Sequence, residues 1–544
     1  MSQENFNIIY KKWIENVEDK ETLSILMSLS EKEKIDRFSK EIDFGTAGIR
    51  GEIKSGTKYI NKYTISKFAY CFGLTLKESK SNLKDGLVIF HDNRKYGRLF
   101  SFTAAKILSA FGIPVFLYKN NEPLVTPFLS YLIIEKKLLG GINVTASHNT
   151  KEYSGMKFYD SFGKQIGKDF INLFKKHLNN IDDYFNFKMN EDNIYYLDDF
   201  FIYKYIDDLF NFLKPPLEKK HNFKIIYNSN HGAGITITKP ILEKLKVDFA
   251  IVNEQSNFDE EFSNSKNPNP QFEDSFYFSK IYGNKFNADI LIGSDPDADR
   301  IGVMVRNGGN WRLLNGNELP IIQLHYLLKN IKRKKINLKN TFTVNSIVTS
   351  KYLDKMLEKY NVKHYSTITG FANISEKVKE ILEENKHSKL LFAWEESNGS
   401  IFNYDITRDK DFFQSLISVI EIAYEMKGKY NKTLIDYLDD IKKEYGYFHT
   451  ELRIINLEKS NENYSNLINK LINKLKNKDF INIDLIEIRD YKNGYKDIPK
   501  SDVTEFIFSD GSNILIRNSG TEPILKIYIN LMSNIRDKLD ILFS

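Results

Sequence analysis

The chain has 544 residues, of which 41% are apolar, 28% charged and 14% aromatic, and its net charge is +6. That length exceeds one ordinary core and points to three or four domains. So small a charge, with no basic run interleaved with aromatics, gives no case for a nucleic-acid partner. Cys71 is the single cysteine, which excludes an intrachain disulfide or a thiolate metal cluster and favours a reducing, cytoplasmic location.

Residues 2–7 are polar and offer no signal-peptide core, and residues 3–40 have the helical, polar character of a leading arm. Next comes Asp43-Phe-Gly-Thr-Ala-Gly-Ile-Arg50-Gly-Glu52, which suits either a tight loop at a ligand or an ordinary turn. A strand–helix–strand pattern then occurs three times: 87–90, 101–111 and 113–118; 223–227, 239–245 and 247–252; 342–348, 352–360 and 362–368. The apolar stretch 99–118 contains Lys106 and is broken by Gly112 and Pro114, so it predicts a buried helix followed by a strand. No membrane span is expected.

These copies predict an α/β fold of three related mixed α/β domains with a smaller C-terminal α+β domain. The expected limits are 1–205, 206–312, 313–430 and 431–544. Paired prolines in Lys214-Pro-Pro-Leu-Glu-Lys-Lys220 suit a junction, and 256–270, rich in Asn, Ser and Pro, predicts a long loop. In the last segment, 452–456 and 524–529 are strand candidates.

Four loops carry chemistry. Gly140-Gly-Ile-Asn-Val-Thr-Ala-Ser147-His148-Asn149 presents a hydroxyl after a short apolar run. A serine needs a base or a cation to act as a nucleophile, and the loop alone equally suits a hydroxyl and an imidazole satisfying the backbone. Downstream, Lys157 suits either a proton shuttle and phosphate neutraliser or an exposed structural amine. The second loop, Asp295-Pro-Asp297-Ala-Asp299-Arg300, follows the apolar run 288–292 and sets three carboxylates at alternate positions, where they can converge on one hard cation. A calcium-binding helix-loop-helix is excluded, because Arg300 stands where its glycine belongs and Arg306 where its bidentate glutamate belongs. A divalent ion such as Mg²⁺ would neutralise a phosphoryl group in transfer, and Arg300 could hold a reacting oxygen.

The third loop, Glu395-Glu396-Ser397-Asn398-Gly399, suits vicinal sugar hydroxyls, and Arg408 in Arg408-Asp-Lys-Asp411 could add a phosphate contact; exposed polar turns are the competing explanation for both. The fourth, Arg517-Asn-Ser519-Gly520-Thr521-Glu-Pro523, has a guanidinium, two hydroxyls and a glycine for clamping a phosphate. It lacks the lysine and spacing of an ATP-type P-loop.

Taken together, Thr145-Ala-Ser-His-Asn149, Gly293-Ser-Asp-Pro-Asp-Ala-Asp-Arg300, Glu395-Glu-Ser-Asn-Gly399 and Arg517-Asn-Ser-Gly-Thr-Glu-Pro523 resemble the alpha-D-phosphohexomutase superfamily over nearly the whole chain. The resemblance implies three related α/β domains and a smaller fourth around a central cleft. It implies phosphoserine at Ser147, with Mg²⁺ held by Asp295, Asp297, Asp299 and an oxygen of that phosphate. Arg50, His148, Lys157 and Arg300 would serve the chemistry. Glu395, Ser397, Arg408, Arg517, Ser519, Gly520 and Thr521 would hold the substrate.

By the same resemblance, the phosphate on Ser147 passes to a small-molecule hexose monophosphate. A hexose 1,6-bisphosphate, intermediate and activator alike, turns over and returns its other phosphate to the serine. Two positions depart from the pattern: Thr150 replaces a proline of the serine loop, and Ala372 stands where related mutases carry a substrate-facing lysine. The Glu-Glu-Ser form favours glucose phosphates, with mannose or pentose phosphates as alternatives and a phosphosugar-binding protein as the non-enzyme alternative. The sequence leaves monomer and homodimer equally open.

Overall fold

The computed structural model describes residues 3–45, 48–79, 81–215, 222–456, 466, 469–470, 473–474, 483–518 and 524–533. The chain divides into two compact units, Met1–Leu313 with Asn403–Ile417, and Leu314–Phe402 with Ser418–Ser544.

The first unit opens with helices Gln3–Asn16, Lys20–Met27 and Glu31–Phe38. Asp19 caps the second, and Ser30 with Glu33 forms a capping box on the third, satisfying N–H groups that a helix start leaves unpaired. Trp13 is fully buried, with Phe38 of the arm and Tyr63, Tyr184 and Phe185 from beyond it around its ring, so an aromatic cluster packs the arm onto the rest of the unit.

A six-stranded mixed sheet follows, ordered Gly48–Glu52, Tyr153–Tyr159, Gly140–Val144, Leu87–His91, Val115–Tyr118, Ile194–Leu197. Leu87–His91 lies between two parallel neighbours and is buried at every residue, as a strand covered on both faces must be. Helix Gly97–Ala110 follows it, in agreement with the pattern expected from the stretch 99–118. The second sheet is ordered Asn310–Leu314, Ile301–Asn307, Ile290–Ser294, Lys224–Asn228, Asp248–Ile251. Its strands Ile290–Ser294 and Ile301–Asn307 pair antiparallel with Ser294 opposite Ile301, so residues 295–300 form the loop of a hairpin. Residues 256–270 form the long loop expected, with a few turns and no strand or helix. Of the proposed junction at 214–220, residues 216–220 lie outside the described residues.

The second unit holds the third α/β layer, a sheet ordered Lys363–Thr367, Thr341–Ser346, Lys389–Glu395, Gly399–Ile401. It also holds an antiparallel sheet ordered His449–Asn456, Ile524–Leu531, Asn513–Asn518, Val503–Phe508, Leu485–Asp490. Ile347 and Val348, just past strand Thr341–Ser346, cluster with Val503, Leu515 and Tyr528 of that sheet and with Tyr491, just past its strand Leu485–Asp490. The fold is thus three α/β layers followed by a C-terminal antiparallel sheet. Among the described residues no helix is long and apolar enough to cross a membrane.

Candidate active site

Strand Gly140–Val144 ends three residues before Ser147, which sits at φ +53° and is 2% exposed. A left-handed backbone costs a non-glycine residue about 1–3 kcal/mol, so the surroundings must hold it. Arg94 does so with all five of its N–H groups. Its Nη2 donates to the carbonyls of Ser147 and Asn149, both at 2.6 Å, and its Nη1 to those of Thr150 at 2.7 Å and Tyr153 at 2.9 Å. Its Nε donates to Asp92 Oδ2 at 3.0 Å. Asp92 Oδ2 also accepts from Thr145 Oγ1 at 2.5 Å, and Thr145 Oγ1 accepts the Ser147 N–H at 2.8 Å. Arg94 and Asp92 were not among the expected site residues, although Asp92-Asn-Arg94 follows an apolar strand just as the serine and aspartate loops do.

The arrangement aims the Ser147 hydroxyl at the hairpin loop, where it donates to Asp295 Oδ2 at 3.1 Å. His148 Nδ1 lies 3.3 Å from the same Oγ. Burial, then the charges of Arg300 and Arg50, push the His148 imidazole well below its ordinary value, so it is neutral at pH 7. Arg50 Nη1 donates to Asn149 Oδ1 at 3.0 Å, which ties the glycine-rich strand Gly48–Glu52 to the serine loop.

Asp295, Asp297 and Asp299 are buried and each offers an oxygen within 4.8 Å of the others. Lys157 Nζ donates to Asp297 Oδ2 at 2.6 Å and to Asp299 Oδ2 at 2.7 Å, and Lys410 Nζ stands 3.3 Å from Asp299 Oδ2. The backbone N–H groups of Asp299 and Arg300 donate to Asp295 Oδ1, both at 3.0 Å, while Arg300 Nη1 donates to Gln271 Oε1 at 3.1 Å. Burial and the charges of Asp299 and Asp297 push the Asp295 carboxyl well above the ordinary range. Burial acts the same way on Asp299, but Lys157, Lys410 and Arg300 outweigh it and hold that carboxyl well below. Lys157 resists the depressing effect of its own burial, because Asp297 and Asp299 raise its pKa and keep it cationic.

Among the described residues, Asp297 Oδ1 and Asp299 Oδ1 are buried and accept no hydrogen bond. Buried carboxylate oxygens without partners are costly, and converging hard oxygens are the donor set of a small divalent cation such as Mg²⁺. The residues present fit that ion.

Lys410 was not singled out in advance. Asp409, beside it, accepts from Tyr159 at 2.7 Å and Gln165 at 2.8 Å, which sets the segment in the first unit. Arg408, from the same run, donates from Nη1 to the Phe162 carbonyl at 2.8 Å and from Nε to that of Tyr404 at 3.3 Å.

In the second unit, Trp394 stacks on Phe392 with centroids 5.2 Å apart and anchors the glutamate loop. Ser397 Oγ donates to Glu395 Oε1 at 2.5 Å, and Ser346 Oγ to Glu396 Oε2 at 2.7 Å. Burial, then the neighbouring Glu395, raises the Glu396 carboxyl, against a lowering influence from Arg517. Arg517 stands near the end of strand Asn513–Asn518, opposite Val503 and Lys526. Ser519, Gly520 and Thr521 lie outside the described residues.

Models of the phosphoglucomutase/phosphomannomutase family match the chain in three pieces: alpha/beta/alpha domain I at residues 41–185, domain II at 203–309 and domain III at 315–445. The chain belongs to the phosphoglucomutase/phosphomannomutase family. It is 31% identical over 535 residues to a phosphomannomutase of Mycoplasmoides pirum, covering 96% of this chain and 95% of the relative. It is 30% identical over 544 residues to a phosphoglucomutase of Staphylococcus aureus (strain USA300), covering 95% of both. The fold is shared with parafusin, a phosphoglucomutase of Paramecium, at a TM-score of 0.69 and 20% identity, covering 93% of this chain and 94% of that one. It is also shared with a family protein from Burkholderia thailandensis, at a TM-score of 0.66 and 17% identity, over 92% and 96% of the two chains. As a phosphoglucomutase/phosphomannomutase family member, the chain is a phosphosugar mutase, an enzyme of phosphohexomutase-type intramolecular phosphotransfer.

Proposed function

We propose that the chain interconverts glucose 1-phosphate and glucose 6-phosphate, with phosphorylated Ser147 as the phosphoryl carrier. The observation that carries this is the hydrogen bond from Ser147 Oγ to Asp295 Oδ2 at 3.1 Å, which sets the hydroxyl beside the aspartate cluster. Asp295, Asp297 and Asp299, with an oxygen of the phosphate on Ser147, would hold Mg²⁺, which when bound neutralises charge on the phosphoryl group in transfer.

The chain's own residues supply the rest. Lys157 and Lys410 bring positive charge to the cluster, and Arg50 and Arg300 flank it. When the serine donates, its Oγ–P bond breaks, a bond forms from phosphorus to the sugar hydroxyl, and that hydroxyl's proton is released. When the serine takes back the other phosphate of the 1,6-bisphosphate, the bond from phosphorus to the sugar oxygen breaks and one to Oγ forms. The sugar oxygen takes up a proton, and Oγ gives up its own, for which neutral His148, with Nδ1 3.3 Å from Oγ, is within reach. Glu395 and Ser397 would bind sugar hydroxyls. Arg517, with Ser519, Gly520 and Thr521, would clamp the phosphate not in transfer.

The Glu395-Glu396-Ser397 form supports glucose, whereas Mycoplasmoides pirum supplies a phosphomannomutase as a relative, and the two sugars differ only at one hydroxyl. A phosphorus-NMR panel of glucose, mannose, glucosamine, ribose and deoxyribose 1-phosphates, run with Mg²⁺ and glucose 1,6-bisphosphate, tests both points. Glucose 1-phosphate should be converted fastest, and Ser147→Ala should abolish conversion. Faster conversion of mannose 1-phosphate would reassign the substrate, and turnover by Ser147→Ala would end the role given to the serine.

A further inference from the structure

Asp297 is held by more than a lysine. Thr126 opens helix Thr126–Lys136; its hydroxyl donates to Asp297 Oδ2 at 2.7 Å and its N–H to the Asp297 carbonyl at 2.9 Å. Behind it, Asn143 donates from Nδ2 to Thr126 Oγ1 at 2.6 Å. A hydroxyl has one proton, so a donor on its oxygen leaves that proton for Asp297. Thr126 and Asn143 are both 0% exposed, and bulk water does not compete for either. Asn143 is also the cross-strand partner of Lys157, which reaches the same Oδ2 at 2.6 Å. One oxygen of Asp297 therefore takes two donors, while Oδ1 accepts none among the described residues.

We infer that Thr126, directed by Asn143, is a positioning residue that fixes the rotamer of Asp297 and leaves Oδ1 as the oxygen offered to the metal. The inference rests on the assignment of the three aspartates as the metal loop. Thr126 belongs to the layer that carries Ser147, and Asp297 to the next one within the same unit, so the hydroxyl joins the Thr126 N–H and Lys157 in tying the serine's layer to the metal loop. Partners that orient a metal ligand set affinity, and their loss weakens binding about 10- to 100-fold.

The test is Mg²⁺ binding by calorimetry, checked by Mn²⁺ electron paramagnetic resonance, on the full chain without sugar. Thr126→Val, which changes little but the hydroxyl, should bind about 10- to 100-fold more weakly. Thr126→Ser, which keeps the hydroxyl, should bind as the wild type does. Should the valine variant fail to fold, Thr126→Ala takes its place with the same expectation. Wild-type affinity in a folded Thr126→Val or Thr126→Ala variant overturns the inference, even if its melting temperature falls, because the hydroxyl would then serve the fold alone. Wild-type protein that binds no better than Asp297→Asn overturns the metal loop itself, and the inference with it.

Discussion

Replacing Arg94 by methionine tests how the serine loop is held. Arg94 is 1% exposed and its five hydrogen bonds reach four loop carbonyls and Asp92. Methionine keeps much of the volume and removes every donor. Breaking a buried ion pair by deleting one partner costs about 3–5 kcal/mol, because the other charge is left uncompensated. Burial already pushes the Asp92 carboxyl above its ordinary value against the pull of Arg94, so without the arginine Asp92 takes up a proton and limits that part of the cost. Carbonyls that lose a buried donor add about 1 kcal/mol each, but they share one side chain and do not sum, so about 4 kcal/mol is the expected destabilisation. Urea denaturation followed by tryptophan fluorescence gives the value, and mass spectrometry of the protein exposed to glucose 1,6-bisphosphate reports phosphate on Ser147. Arg94→Met should lose both stability and phosphorylation. Arg94→Lys, with three donors for five acceptors, should recover part of the stability. A loss under about 1 kcal/mol with undiminished phosphorylation of Ser147 would refute the reasoning.

Two further substitutions probe the second unit. A Cβ added at Gly316 would stand 1.7 Å from the Glu396 carbonyl oxygen, so Gly316→Ala should displace the glutamate loop, cost about 1–3 kcal/mol and raise KM for the sugar phosphate more than it lowers kcat; an unchanged KM would show that the loop tolerates the shift. His325 is buried against Tyr437, Tyr445 and Glu444, with Lys329 and Lys359 nearby, and burial followed by Lys329 lowers its pKa to about 4. A base whose folded pKa lies below its unfolded value leaves stability intact above pH 6.5 and removes it as pH falls towards 4, by about 3 kcal/mol at most. Melting temperature measured from pH 7 to pH 4 should fall less steeply in His325→Leu than in the wild type, and parallel curves would contradict the assignment.

The three α/β layers were legible because each repeats a short apolar run, an amphipathic stretch and a second apolar run, and fully buried strands such as Leu87–His91 leave little else for such residues to form. The serine and aspartate loops were legible for a related reason: polar sequence directly after an apolar strand marks the strand's end. Arg94 and Thr126 were not, because their roles depend on partners distant in sequence. Arg94 serves carbonyls more than fifty residues away, and Thr126 meets Asp297 across 171 positions. Local pattern carries no record of such pairs. Lys410 shows the same limit. Its run was noted for a phosphate contact by Arg408, but which cation approaches the aspartates follows from how Asp409 is held by Tyr159 and Gln165.

The most direct measurement loads the full chain with glucose 1,6-bisphosphate and Mg²⁺, isolates the protein and locates phosphate by peptide mass spectrometry before and after glucose 1-phosphate is added. Phosphate should appear on Ser147 and leave it as the 1,6-bisphosphate reforms. Isomerisation of the sugar phosphate with Ser147 never phosphorylated, or a phosphate on Ser147 that the sugar cannot remove, would contradict its role as carrier.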